Sequence, residues 1–261
     1  MLLKDKVTLI MGATSGIGKA GAMAFLREGA ILTIVSNDEA QGKEVAEESK
    51  QQGYKVTYAY ADVSRISDIE KVVKMVVDTH GRIDIFWHNV GIFLPGHIET
   101  VTEENYDREM TVSLKAALFG TKLVMPVMKR TGGSILFTSS MVGLRPSPYN
   151  EGYSITHGIE KAALIMLMRC LVEPLAKYNI RVNCICPGPV ATNRWLAGAE
   201  SQAAKADMDV ETYLKTKVDR LPLKRMIAET EIADAILFLL SDKASGITGA
   251  AFPVDGGFSA V

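Results

Sequence analysis

Three side chains that can move a proton or hold a charge recur at intervals of four in the middle of the chain: Tyr153, His157 and Lys161. Residues spaced by four share one face of a helix. A helix reaching back to 153 would therefore present all three to one ligand. A phenol titrates near 10 and does little at neutral pH unless a cation sits beside it, and a lysine is such a cation. An imidazole titrates near neutrality unaided. Ser140 stands 13 residues before Tyr153, just past the apolar run Ser134–Ser139, and offers a hydroxyl. If the strand continues, Ser139 points to its opposite face.

A second group lies near the N-terminus, in Gly12-Ala-Thr-Ser-Gly16-Ile-Gly18. It follows the apolar run Lys6–Met11 and opens the helix-like segment Gly16–Glu28. Glycines between a strand and a helix permit a tight turn and close approach of backbone to a diphosphate, which then meets the unpaired N–H groups at the helix start. Gly12, Ser15, Gly16, Ile17 and Gly18 are the candidate pyrophosphate cradle.

The elements that must position these groups alternate along the chain. Strand-like runs are expected at Lys6–Met11, Ile31–Val35, Val56–Ala61, Ile83–His88, Ser134–Ser139, Arg181–Cys186 and Ala251–Val254. Helices are expected at Gly16–Glu28, from strand 2 through about Gln52, at Ser67–His80, Glu103–Lys129, Lys161–Tyr178 and Glu231–Leu240. Apolar Val/Ile/Leu strands separated by helices imply a parallel sheet buried on both faces. The expected architecture is a single-domain α/β Rossmann fold over 1–261, a doubly wound parallel sheet flanked by helices, with ligands at the carboxyl ends of its strands. The stretch 193–220 is the least regular. Its Trp195, Leu196, Met208 and Tyr213 suggest a mobile lid with an apolar pocket wall, or equally a lid buried in its own packing.

Bulk properties remove several classes. Of 261 residues, 48% are hydrophobic and 23% charged, so a large core is expected and disorder is not. A net charge of −1 provides no basic field for nucleic acid. No run of 18 apolar residues and no signal-like start appear, so the expectation is a cytoplasmic protein with no membrane partner. The three cysteines, Cys170, Cys184 and Cys186, are too few and too spread for a disulfide framework. Cys184 and Cys186 read as small core residues on one side of a strand. None of the four histidines has metal-ligand spacing with another.

The motifs together resemble those of the short-chain dehydrogenase/reductase family. The Gly-x-x-x-Gly-x-Gly spacing is similar to its glycine motif. Asp62-Val63 resembles its adenine-contacting pair, and His88-Asn89-Val90-Gly91 its Asn-Asn-Ala-Gly segment. Ile180-Arg-Val-Asn183 with Pro187-Gly188-Pro-Val190-Ala-Thr192 resembles the strand and loop that embrace the nicotinamide. Ile247-Thr-Gly and Val254-Asp255-Gly256-Gly257 resemble its C-terminal signature. The resemblance spans nearly the whole chain. It implies hydride transfer between a nicotinamide cofactor and a small alcohol or ketone, and a homo-oligomer, by family habit a tetramer. It implies cofactor contacts at the glycine turn, Ser36, Asn37, Asp62, Val63, Asn89, Gly91, Lys161, Pro187, Gly188, Val190 and Thr192. Position 36, where a carboxylate would bond the adenosine ribose, holds serine. Ser36 and Asn37 can bond a ribose or a 2′-phosphate, so the expected cofactor is NAD or NADP, tilted toward NADP.

The family's catalytic pattern is altered. Ser140 fits its substrate-polarising serine. Ser113 stands where the resemblance places a relay asparagine, and there a structural serine is as fitting. Spacing from Ser140 selects Tyr153 as the catalytic tyrosine, whereas the 22 residues from Lys161 to Asn183 select Lys161 as the catalytic lysine. The two registers differ by four. A loop absorbs four extra residues more easily than a helix packed on a sheet, so Lys161 keeps the lysine role and His157 takes the usual tyrosine position. Tyr153 is then the first candidate acid/base and His157 its rival, with proton exchange to solvent as a third outcome. Two other functions stay open: an enoyl-thioester reductase of the same superfamily, whose Tyr-x6-Lys spacing is near the Tyr-x7-Lys found here, and a non-catalytic dinucleotide-binding protein.

Overall fold

The computed structural model describes residues 1–146 and 154–261. Among them, seven parallel strands form one sheet: β1 Val7–Met11, β2 Ile31–Ser36, β3 Val56–Tyr60, β4 Ile85–His88, β5 Gly133–Thr138, β6 Ile180–Pro187 and β7 Ala251–Val254. Their spatial order is β3-β2-β1-β4-β5-β6-β7. The order reverses between β1 and β4, which opens a crevice at their carboxyl ends. β1 pairs with both, Met11 lying opposite Val35 on one side and His88 on the other.

The helices are α1 Gly16–Arg27, α2 Glu39–Gln51, α3 Ile66–His80, α4 Glu103–Met110, α5 Ala116–Thr131, α6 Met141–Leu144, α7 Ile155–Ala176, α8 Asn193–Lys205, α9 Val210–Val218 and α10 Glu229–Leu240. Strand side chains alternate between two cores, as the pleat requires. Leu9, Met11, Phe86, Ile135, Phe137, Val182, Cys184 and Cys186 share one face with α3, α5 and α7. Ile10, Trp87, Leu136 and Ile185 share the other with α1, α2 and α10. Cys184 and Cys186 are both fully buried on the first face, and burial pushes the Cys186 thiol up to about 12. They are small core residues, as the sequence suggests.

Three departures from the expected elements bear on the site. Helix α7 begins at Ile155, not Lys161, because Ser154 caps it by accepting from the His157 N–H at 3.2 Å. The expected helix 103–129 is broken by a π turn at Thr111–Lys115, and Ser113 lies inside it; such turns often mark functional positions. The irregular stretch folds into α8 and α9. Tyr213 is buried there against Ala199 and Ala203, with Trp195 and Leu214 packed on them. The run Glu103–Thr131 is long and apolar enough to match a bilayer span; here Ala116, Ala117, Val124 and Met128 are buried in the core of the fold.

Candidate active site

The β1–α1 turn is shaped by contacts that leave no room for side chains. Gly12 holds φ +84 and Gly16 φ +53, a region that L-residues rarely adopt. A Cβ on Gly18 would stand 1.9 Å from the Gly12 carbonyl oxygen and 2.7 Å from Asn89 Nδ2. Gly18 therefore fixes how closely α1 sits under the turn. Ser15 is the N-cap of α1, but its side chain makes no capping bond, so the first amides of α1 are left for a ligand.

A relay of hydrogen bonds ties this turn to the sheet. Trp87 Nε1 donates to Thr138 Oγ1 at 2.8 Å, and Thr138 Oγ1 donates to Asn89 Oδ1 at 2.8 Å. Asn89 Nδ2 donates to the Gly12 carbonyl at 2.7 Å. β1, β4 and β5 are thus locked together where the crevice opens. On the far side, Asn183 holds β6 to the chain entering β7: its Nδ2 donates to the Ile247 carbonyl and its Oδ1 accepts from the Ala250 N–H, both at 3.0 Å. Asp255 accepts from the N–H groups of Gly257 and Ser259, each at 2.9 Å.

A cavity of about 1290 Å³ runs across these strand ends, larger than the roughly 300–1,000 Å³ of a drug-sized site. Its wall includes Gly12, Ser15, Gly16 and Ile17 at one end, and Ser36, Asn37, Asp62 and Val63 over β2 and β3. Asn89, Gly91, Ser140, His157, Lys161, Pro187, Gly188 and Thr192 complete it. One continuous surface therefore joins most residues singled out in the sequence. Gly18 lies behind the turn, not on the cavity. Val190 is the exception among the loop residues: its side chain is buried in the core, and its backbone bridges Ile227. Trp195, Leu196, Met208 and Tyr213 are not among the described residues that line the cavity; of the two readings left open by the sequence, Trp195 and Tyr213 follow internal packing of α8 and α9, and Met208 is exposed. Tyr153 lies outside the described residues.

At the other end of the cavity, α7 presents His157 and Lys161 one turn apart. Lys161 Nζ donates to the Thr138 carbonyl at 3.3 Å and lies 3.3 Å from Glu160 Oε1. His157 Nδ1 lies 3.1 Å from that same oxygen, and the ring meets Phe93 edge-on at 5.5 Å. Ser140, the N-cap of α6, accepts from the Val142 N–H at 3.4 Å, which leaves its own O–H for a ligand. Ser139 turns away and donates to the Lys161 carbonyl at 2.8 Å, as the strand alternation predicts.

Two buried carboxylates near α7 escaped the sequence analysis. Glu109 accepts from the Leu94 N–H at 2.7 Å and from Ser154 Oγ at 3.0 Å. Burial pushes its carboxyl up despite these bonds. Glu160 is wholly buried. Burial raises it too, but the hydrogen bond from His157, the Lys161 ammonium and Ser113 outweigh that, and it is held below the usual carboxylate range. The available signal was a glutamate directly before Lys161, where a helix packed on the sheet should be apolar. His88, at the end of β4, is fully buried. Burial, then the Lys161 ammonium, push it down to about 3, so it is neutral.

Comparison with known proteins decides the family. The model for enoyl-(acyl carrier protein) reductases matches residues 12–259. An uncharacterized oxidoreductase of Thermotoga maritima is 39% identical over 100% of both chains. Dehydrogenase/reductase SDR family member 4 of Sus scrofa is 34% identical over 98% of this chain and 88% of its own. The chain belongs to the short-chain dehydrogenase/reductase family. It is an NAD(P)-dependent oxidoreductase of that family, and its sheet order and crevice are the expected Rossmann arrangement. Among solved structures, L-sorbose reductase from Gluconobacter frateurii, complexed with NADPH and L-sorbose, superposes with a TM-score of 0.93 at 31% identity, covering 100% of this chain and 99% of that one.

Proposed function

We propose that this short-chain dehydrogenase/reductase interconverts a small alcohol and its ketone, with NADP preferred over NAD. The observation that carries the proposal is the single cavity joining the glycine turn to Ser140, His157 and Lys161. The bare amides of α1 and the close Gly12–Gly18 contact suit a diphosphate. Gly12, Ser15, Gly16 and Ile17 would line its phosphates, with Gly18 setting the turn behind them. Asp62 and Val63 would face the adenine, and Ser36 and Asn37 the adenosine ribose. Neither Ser36 nor Asn37 carries a charge that would repel a 2′-phosphate. Asn89, Gly91, Lys161, Pro187, Gly188 and Thr192 would flank the nicotinamide half. When bound, the nicotinamide exchanges a hydride with substrate carbon.

Ser140 would orient the substrate oxygen through its O–H. Lys161, barely exposed and held by the Thr138 carbonyl, would bond the nicotinamide ribose. His157 and Tyr153 are the candidate acid/base groups. The segment 193–220 would act as a lid, with α8 and α9 moving on their small shared core. The NADPH and ketose bound by the sorbose reductase support both the cofactor and the substrate class.

Absorbance at 340 nm, followed with NADH and NADPH against ketoses, simple ketones, enones and acyl thioesters, tests the proposal. Turnover of ketones with NADPH is the expected result. The enoyl-reductase description of the matching family model motivates the second reading, which turnover of enoyl thioesters alone would favour. Dinucleotide binding without turnover of any of them would refute both.

A further inference from the structure

We infer that Glu160 is a positioning residue: its buried carboxylate holds His157 by Nδ1, leaving Nε2 to exchange the proton with the substrate oxygen. The inference deepens the oxidoreductase proposal above and rests on it. The acid/base would then be a histidine–carboxylate pair, standing where the family pattern has a tyrosine.

The geometry is specific. His157 and Glu160 are three residues apart on α7, on neighbouring faces of one turn. The Ser154 cap fixes that turn by binding the His157 N–H. Nδ1 and Oε1 are 3.1 Å apart. Glu160 is wholly buried, while His157 keeps 20% of its side-chain surface exposed and lines the cavity. A ring bonded inward at Nδ1 turns its other nitrogen toward the cavity. An acceptor at Nδ1 also selects the tautomer that carries hydrogen there, and this leaves the Nε2 lone pair for a substrate proton.

A buried charge is expensive, and packing alone would favour an apolar residue at 160. Among the described residues, few titratable or polar groups face Glu160. From its own helix come His157 and Lys161, the latter also 3.3 Å from Oε1. From the other elements come Glu109 of α4, Ser113 of the π turn and His88 of β4. His88 is neutral, and Glu160, held below the usual carboxylate range, places one oxygen 3.1 Å from His157 Nδ1 and 3.3 Å from Lys161 Nζ. The same carboxylate therefore steadies an imidazolium and keeps the Lys161 ammonium in place.

In the reducing direction the substrate carbon takes up the hydride, and the C=O π pair moves onto oxygen. A new O–H bond forms there as the Nε2–H bond of imidazolium breaks, leaving neutral His157 with hydrogen on Nδ1. The oxidising direction reverses each change, with neutral Nε2 accepting the alcohol proton. Glu160 stays ionised throughout.

Nitrogen-15 NMR of the full chain labelled at histidine, in alkaline buffer and without cofactor, reads the tautomer directly. His157 is assigned by its loss in His157→Gln. Hydrogen on Nδ1 is the expected result in the wild type, with a shift toward hydrogen on Nε2 in Glu160→Gln. Hydrogen on Nε2 in the wild type overturns the inference whether or not Glu160→Gln folds. In turnover, Glu160→Gln and His157→Gln should each lower kcat by about 100-fold or more, while in His157→Gln, which leaves the Glu160–Lys161 contact intact, calorimetric affinity for the dinucleotide stays within about threefold. Full activity in His157→Gln with loss in Tyr153→Phe would overturn it. Failure of the wild type to bind NAD(H) or NADP(H) would instead remove the oxidoreductase proposal, and the tautomer would still report whether Glu160 holds His157.

Discussion

His88 should make this fold sensitive to mild acid. The imidazole sits at the end of β4 with no exposed surface, and neither ring nitrogen has a hydrogen-bond partner among the described residues. Burial, reinforced by the Lys161 ammonium, lowers its pKa from 6.5 to about 3. Above pH 6.5 the ring is neutral folded or unfolded, so it contributes no pH dependence. Below that value the unfolded chain takes up a proton that the folded chain refuses, and stability falls with pH until about 3. One pKa unit is worth about 1.4 kcal/mol; with the unfolded ring already half protonated at pH 6.5, the two pH units below should cost roughly 2 kcal/mol through this residue alone. His88→Leu removes the titration while keeping an apolar group of similar bulk. Urea unfolding followed by circular dichroism from pH 8 to pH 4.5, at fixed protein concentration, gives the two stability curves. Other groups titrate equally in both proteins and cancel. The wild type should lose about 2 kcal/mol more than the variant between pH 6.5 and 4.5. Parallel curves would show that the folded chain protonates His88 as readily as water does, and the reasoning from burial would fail.

Other substitutions probe the cavity from different sides. Gly18→Ala places a Cβ 1.9 Å from the Gly12 oxygen, so it should cost about 1–3 kcal/mol of stability and at least about tenfold in dinucleotide affinity by calorimetry. Ser36→Asp puts a carboxylate where a 2′-phosphate would lie; the ratio of kcat/KM for NADPH over NADH should fall about tenfold or more. Thr138→Val keeps the shape but leaves Trp87 Nε1 and Asn89 Oδ1 unpaired. Thermal unfolding should show a loss of about 1–3 kcal/mol for each group stranded, with weaker dinucleotide binding because Asn89 no longer steadies the turn.

Much of this was legible in the sequence because the relevant signals are local. Apolar runs of strand length between helical segments gave all seven strands to within about two residues, and the glycine turn needs only its own residue types. The start of α7 was misplaced by six residues. Its first residues, Ile155–Glu160, are poor in strongly apolar periodicity, and the start is set by the Ser154 cap, which no mark in the sequence singles out from other hydroxyl residues. Helices α8 and α9 were missed as elements because their shared core is three residues deep, too thin to imprint a clear period. Glu109 was invisible because a buried carboxylate looks, in sequence, like any solvated one, and Glu160 had only its place directly before Lys161 to mark it. What marks them is the tertiary approach of α4, the π turn and β4 to α7, which no spacing along the chain encodes.

That approach also gathers buried polar atoms in one place. Five buried side-chain atoms have no hydrogen-bond partner among the described residues, and four of them belong to His88, Ser113 and Glu160. Stranded polar atoms are rare in folded proteins because each carries an uncompensated desolvation cost. If they arose from loose packing they would scatter through both cores. Instead they gather behind Lys161 and His157, the two groups that face the cavity, while the large apolar residues around them are fully buried. By the resemblance read from the sequence, Ser113 takes the position of the family's asparagine, His88 that of its first Asn-Asn residue, and Glu160 lies beside the displaced lysine register. The departures from the family pattern are therefore neighbours in space though scattered in sequence. Under the inference drawn above, they form one polar layer beneath the cavity, the layer that would support proton handling by a histidine held by a carboxylate.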